Sequence, residues 1–250
     1  MKIVAYVHHL DRFIYENRGS IRSFMVKHRA FCHNCPIIPN SVQNFMMGNL
    51  FIVAAPSGAG KTSLVNALIA QHAEIKLSVS HTTRAPREGE IDGKDYHFID
   101  QQTFSAMRDA GQFLESATVF DNSYGTSSET VETLLGEGFD VILEIDWQGA
   151  QQVRNNFQQA IGIFILPPSK ATLEQRLRNR GQDNEDVISR RMRDAENEIS
   201  HYVEFDYIIV NDDFEQALTS LSSIIVAQRH SLAIQKNIQA DLIAELLAQS

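Results

Sequence analysis

From residue 48 onward the sequence predicts an α/β fold, a mostly parallel sheet flanked by helices. Two observations carry this. Strand-sized apolar runs alternate with stretches whose apolar residues recur at helical spacing. The first run is followed at once by a glycine-rich segment and then a helical pattern, the strand, loop and helix order of a phosphate-binding unit.

The elements follow from their patterns. Residues 50–55 are an unbroken apolar run and read as a buried strand; 62–71 read as a helix with Leu64, Leu68 and Ile69 inward, and 75–79 as a second strand. Residues 80–130 are polar and irregular, with short strands expected at 96–99 and 113–119. Alternation resumes with a strand at 139–145, a helix near 148–155, a strand at 161–166, helices through 170–201 and a strand at 207–210. In the amphipathic finish Phe214, Leu218, Leu221 and Ile225 recur at helical spacing and are expected in the core.

Composition narrows the function classes. The chain has 250 residues, 43% of them hydrophobic, enough to bury a core. Its 22 basic and 31 acidic side chains give a net charge of -9, which argues against gripping nucleic acid by broad charge neutralisation. No apolar run approaches the roughly 18 residues of a membrane helix. Both cysteines, Cys32 and Cys35, lie in a basic first segment that ends in Pro36, Pro39, Asn40 and the pair Met46 and Met47. We expect residues 1–46 to be an extension, disordered or not native, and 47–250 to be the folded domain. Cys32 and Cys35 have the spacing of half a zinc site, to which His28 could add a third ligand, but no second pair completes it. The cysteine-free body fits a reducing compartment, hence the cytoplasm.

Chemistry begins at Ala55, Pro56, Ser57, Gly58, Ala59, Gly60, Lys61, Thr62 and Ser63. Glycines allow a tight turn that aims successive N–H groups at phosphate oxygens, and the following helix N-terminus adds partial positive charge. Lys61 is placed to reach the β- and γ-phosphates of ATP, and the Thr62 hydroxyl to ligate Mg2+. The departure from the general pattern is Ala55, where a first glycine is usual, so its backbone must suit alanine.

The segment from Thr82 to Phe98 is denser in polar function than a structural role requires. Thr82, Thr83, Arg84, Arg87, Glu90, Gly93, Tyr96 and Phe98 match a signature at every specified position. With the phosphate loop upstream, residues 48–250 resemble the guanylate kinases of bacterial type, members of the P-loop nucleoside monophosphate kinases.

That resemblance implies a GMP-binding insert at about 80–130 and a helical lid at about 176–194. Arg84 and Arg87 would converge on the GMP phosphate, with the Tyr96 hydroxyl donating to the same group. Ser80, Glu115, Tyr124, Thr126 and Asp146 fall where similar kinases hold the nucleoside monophosphate. Glu115 accounts for base choice: guanine offers N1–H and its N2 amino group side by side, and one carboxylate accepts both, whereas adenine presents a lone pair. Glu144 and Asp146 stand at i and i+2 on one strand, hence on one face, with Glu144 near Mg2+ through water. Arg176, Arg180 and Arg191 match the arginines of the lid, while Arg178, Arg190 and Arg193 are expected to be solvated. Asn211 resembles a loop on the ATP side.

The implied reaction is transfer of the γ-phosphoryl of Mg-ATP to GMP or dGMP, catalysed by Lys61, Arg84, Arg176, Arg180 and Arg191. No nucleic acid or membrane partner is implied, and a homo-oligomer is compatible. A P-loop kinase acting on a sugar phosphate would have no use for Ser80, Glu115 and Thr126. A non-catalytic relative would be expected to lose Gly60, Lys61 or the lid arginines.

Overall fold

A computed structural model describes residues 48–119, 121–179 and 185–248. Expectations for residues 1–46, with Cys32 and Cys35, and for Arg180 therefore lie outside the described residues. Strand β1 (Leu50–Ala54) leads through the glycine-rich loop into α1 (Lys61–Gln71) and β2 (Ile75–Leu77). The insert follows with β3 (His81–Thr82), β4 (His97–Phe98), α2 (Gln101–Asp109), β5 (Phe113–Val119) and β6 (Asn122–Ser127). The chain then returns through α3 (Ser128–Gly136), β7 (Asp140–Glu144), α4 (Trp147–Asn156) and β8 (Ile161–Leu166). It finishes with α5 (Lys170–Asn179), α6 (Glu185–Ser200), a 3-10 turn (His201–Glu204), β9 (Tyr207–Val210), α7 (Phe214–Arg229), α8 (Leu232–Ile238) and α9 (Ala240–Leu247).

The main sheet has the order β2-β7-β1-β8-β9, and every pairing in it is parallel. Because β1 lies at its centre, both of its faces are covered. Phe51 and Val53 pack with Leu64, Leu68 and Leu221 on one side, while Leu50 and Ile52 pack with Val131, Leu135 and Val153 on the other. This is why the run reads as continuously apolar rather than alternating. Burying each such side chain contributes about 1.5–3 kcal/mol. The second sheet, β4-β3-β6-β5, is mixed: β3 runs parallel to β4 and antiparallel to β6, which is antiparallel to β5.

The structure corrects the sequence expectations in several places. Within 80–130 it misses α2, although Asp100 caps it by accepting from Thr103 N–H at 2.7 Å. The strand expected at 96–99 is only His97–Phe98, because the chain turns into that cap. Phe214 begins α7 and is 37% exposed, whereas Leu218, Leu221 and Ile225 are buried as expected. Strand pairing ends at Glu144, and Asp146 is instead the N-cap of α4, so the two carboxylates do not share a strand face. One buried charge holds the far end of the sheet: Asp140 accepts from the Asn49 backbone N–H at 2.8 Å and from Arg229 Nε at 2.5 Å. Among the described residues no helix is long and apolar enough to cross a membrane.

Candidate functional site

Parallel pairing of β1 with β7 sets Val53 beside Glu144, so the loop leaving β1 emerges next to the carboxyl end of β7. Ligands of open α/β sheets bind at such strand ends. In this loop Gly58 and Gly60 have φ of 95° and 90°, a conformation open to glycine at little cost. At both positions space is closed too. A Cβ on Gly58 would press on Leu173 and Leu177 at 3.1 Å, and one on Gly60 would run into the Asn211 side chain. Ala55, by contrast, is not among the residues with positive φ, so its departure from the general motif requires no strain.

Gly60 is the N-cap of α1 and supplies no side-chain cap, which leaves the first amides of the helix for a ligand. Lys61 Nζ donates to the Ile145 carbonyl at 3.3 Å and lies 4.0 Å from Glu144 Oε1. The Thr62 hydroxyl donates to Glu144. Behind the loop, Asn211 is 5% exposed and its Nδ2 donates to the Ala59 carbonyl at 2.7 Å. Arg176 donates to the Asn211 carbonyl at 3.0 Å and to the same Ala59 carbonyl at 3.4 Å. Both side chains thus brace the loop backbone.

The second half of the site is on the insert. Register in the β5–β6 pair sets Glu115 opposite Thr126, with an irregularity between Phe113 and Glu115 that re-aims the strand. Glu115 is 4% exposed and accepts from the Thr126 hydroxyl at 2.6 Å, and Ser80 Oγ lies 3.5 Å from Thr126 Oγ1. Burial pushes the Glu115 carboxyl up to about 7; the Thr126 hydrogen bond opposes this and the Asp146 charge adds to it. A Cβ on Gly149 would sit 2.8 Å from Glu115 Oε2, so only glycine lets α4 approach this carboxylate. Asp146 accepts from Gly149 N–H at 2.8 Å and thereby orients the same helix start.

Arg84 donates to Glu90 at 2.8 Å and to the Ala85 carbonyl at 2.8 Å, and Glu90 also accepts from Arg87 N–H at 2.7 Å. The Arg84 hydrogen bond is the main cause that holds the Glu90 carboxyl below its ordinary range. The Arg84 guanidinium stands 5.4 Å from the centre of the Tyr96 ring, whose phenol burial shifts upward. Tyr96 in turn meets Tyr124 edge to face at 5.9 Å. A cavity of about 230 Å3 opens here, with Arg84, Arg87, Asn122 and Tyr124 on the insert side and Val187, Arg190 and Arg191 on the α6 side.

The structure therefore gathers the sequence candidates into two groups. Lys61, Thr62, Glu144, Arg176 and Asn211 surround the loop; Glu115 and Thr126, both buried, with the half-buried Ser80 and Asp146, form a polar pocket, with Arg84, Arg87, Tyr124 and Arg191 around the cavity. Arg190, expected to be solvated, lines that cavity while lying 3.9 Å from Asp194. Arg178 is paired with Glu174 and Glu185, tying α5 to α6. Two carboxylates gain roles that the sequence does not assign. Glu90 is matched in the signature three residues after Arg87, but only the structure pairs it with Arg84 and the Arg87 amide. Glu198 on α6 accepts from the loop amide of Ser57 at 3.2 Å, a contact that no local pattern announces.

Known proteins resemble this chain over most of its length. The family model described as guanylate kinase matches residues 47–228. The chain is 59% identical over 202 residues to the guanylate kinase of Nitrosococcus oceani, covering 81% of this chain and all of that one. It is 56% identical over 202 residues to that of Shewanella denitrificans, covering 80% and 98%. Among solved structures, the crystal structure of guanylate kinase from Anaplasma phagocytophilum superposes with a TM-score of 0.67 at 32% identity, over 81% of this chain and 97% of that one. The chain belongs to the guanylate kinase family.

Proposed function

We propose that this chain transfers the γ-phosphoryl group of ATP to GMP or dGMP, giving ADP and GDP or dGDP. The observation that carries the reading is the buried carboxylate of Glu115, joined to Thr126 and close to Ser80, in a fold whose phosphate loop stands nearby. An unpaired adenine edge would leave this carboxylate without its two donors, a loss that costs far more than a missing apolar contact.

In this reading the loop amides from Gly58 to Thr62 and the ammonium of Lys61 bind the ATP phosphates, and Arg84, Arg87 and Tyr96 bind the GMP phosphate. The Glu90 contacts to Arg84 and to the Arg87 backbone fix those guanidiniums' segment before substrate arrives. The acceptor is already a phosphate oxygen, so no strong base is needed; alignment and charge stabilisation supply the catalysis. Arg191 meets charge developing on the transferred group from the α6 side, and Arg176 keeps the loop in shape from behind.

Thr62 and Glu144 are adjacent hard oxygen donors, which suits Mg2+. Among the described residues no group of three or more His, Cys, Asp and Glu could hold a metal. When bound, Mg2+ neutralises charge on the β- and γ-phosphates.

ADP release coupled to a spectrophotometric readout, with GMP, dGMP, AMP and sugar phosphates offered in turn, tests the proposal. GMP and dGMP are expected to support turnover; equal rates with AMP or a sugar phosphate would defeat it.

A further inference from the structure

The contact between Glu198 and the phosphate loop is not used by any step above. Glu198 Oε2 accepts from Ser57 N–H at 3.2 Å, and Ser57 lies inside the loop whose amides are arranged for phosphate. The carboxylate is placed there by α6. Along this helix Ile188, Arg191, Ala195 and Glu198 follow at i, i+3, i+7 and i+10, one inward stripe. Ile188 and Ala195 are buried, and Ala195 shares a small core with Met192 of α6 and with Leu173 and Leu177 of α5. Those two leucines are also the side chains against which Gly58 of the loop is closed. The carboxyl half of α6 is therefore seated on the loop through apolar packing from α5 and one directional bond, from Ser57 to Glu198. Two turns earlier, about 10 Å along the same rigid helix, Arg191 lines the cavity with Arg84 and Arg87.

We propose that Glu198 is a positioning residue that pins α6 to the phosphate loop and so sets where Arg191 stands relative to the phosphoryl group in transit. Apolar packing and the ion pairs of Lys170 with Glu196 and of Arg178 with Glu185 hold α6 against α5; the acceptor at the Ser57 amide is what sets its register against the loop itself. A structural role by itself would not require a carboxylate here. Burial, the largest cause, shifts this carboxyl upward, with the Asp146 and Asp194 charges adding to it and the Ser57 amide and Lys61 opposing. Burial thus works against the charged form of this group, the mark of a site retained for another purpose.

The inference rests on the GMP kinase reading. The test uses the full chain and compares wild type, Glu198→Ala and Glu198→Gln for kcat, KM for GMP, KM for ATP and Tm. Loss of a charge-assisted bond that aligns a transition-state group is expected to lower kcat of Glu198→Ala by about 10- to 100-fold while KM for GMP changes by less than about threefold. The Gln carbonyl is able to accept from Ser57 N–H, so Glu198→Gln is expected to recover to within about fivefold of wild type. Tm of both variants should equal or exceed that of wild type. A merely structural role would instead lower Tm and leave Glu198→Gln without a preferential rescue of kcat. Wild-type rates in Glu198→Ala, or equal losses of kcat in both variants, would overturn the inference while leaving GMP kinase activity standing. A wild type without GMP-dependent ADP release would overturn both.

Discussion

In the proposed function the phosphate loop and the base pocket solve recognition by opposite means. The loop presents backbone amides, and side chains from distant elements hold that backbone: Asn211 and Arg176 meet on the Ala59 carbonyl, and Gly58 and Gly60 make room. The base pocket presents side chains, and its backbone serves to hold them: the β5–β6 register sets Glu115 against Thr126, and Gly149 admits the carboxylate at close range. A backbone site recognises phosphate, which every nucleotide carries. A buried carboxylate recognises a pattern of donors, which only some bases carry. The contrast also appears in charge: burial raises the Glu115 carboxyl to about 7, a cost the loop avoids because amide dipoles need no counterion.

The largest effect should come from removing the cation at the end of the loop. Lys61→Ala is expected to lower kcat on the order of 10^3-fold, by analogy with loss of one preorganised electrostatic donor. Tm should stay unchanged, because Lys61 reaches only a carbonyl and a partly exposed carboxylate. Turnover near wild type, measured by coupled ADP release, would remove Lys61 from the reaction.

A second substitution probes the base pocket through its backbone. Gly149→Ala sets a methyl 2.8 Å from Glu115 Oε2, with Ile145 preventing easy retreat at 3.4 Å. Overpacking of this kind costs about 1–3 kcal/mol, so KM for GMP is expected to rise by roughly 10- to 100-fold with a lowered Tm. An unchanged KM for ATP would sharpen the contrast between the two regions; an equal rise in both would erase it.

The loop was legible in the sequence because its chemistry is local. Eight consecutive residues specify the turn, the amides and the cation, and the flanking apolar runs supply the strand and helix. The braces were less legible: Asn211 and Arg176 are separated from Ala59 by more than a hundred residues, and only parallel packing brings them together. In the insert, Arg84, Arg87 and Glu90 were visible as spaced charges, but α2 and β6 were not read. Polar strands such as Asn122–Ser127 lack the alternation that announces a half-buried strand. Asp146 illustrates the converse error. The period of two ends at Glu144, where the strand stops, and Asp146 caps the following helix.

Titration gives a smaller, graded effect. Because the folded value of Glu115 is raised from 4.5 to about 7, the group favours the folded state at low pH, and that contribution is lost as pH rises through about 7. Guanine, however, needs the ionised form. The ratio of kcat/KM for GMP to that for AMP is therefore expected to rise with pH up to about 7 and then level, by up to about tenfold per unit below that point. Referring GMP to AMP cancels titration of the substrate phosphate. A flat ratio between pH 5.5 and 8 would contradict a titrating carboxylate at the base edge.

The most direct test of the account is Glu115→Gln, a substitution that preserves shape and removes one of the two acceptors. Measured at pH 8 as kcat/KM for GMP over that for AMP, the ratio is expected to fall by about tenfold or more, with rates for saturating ATP otherwise ordinary and the pH dependence gone. An unchanged ratio in a folded Glu115→Gln protein would contradict the claim that this buried carboxylate reads the guanine edge.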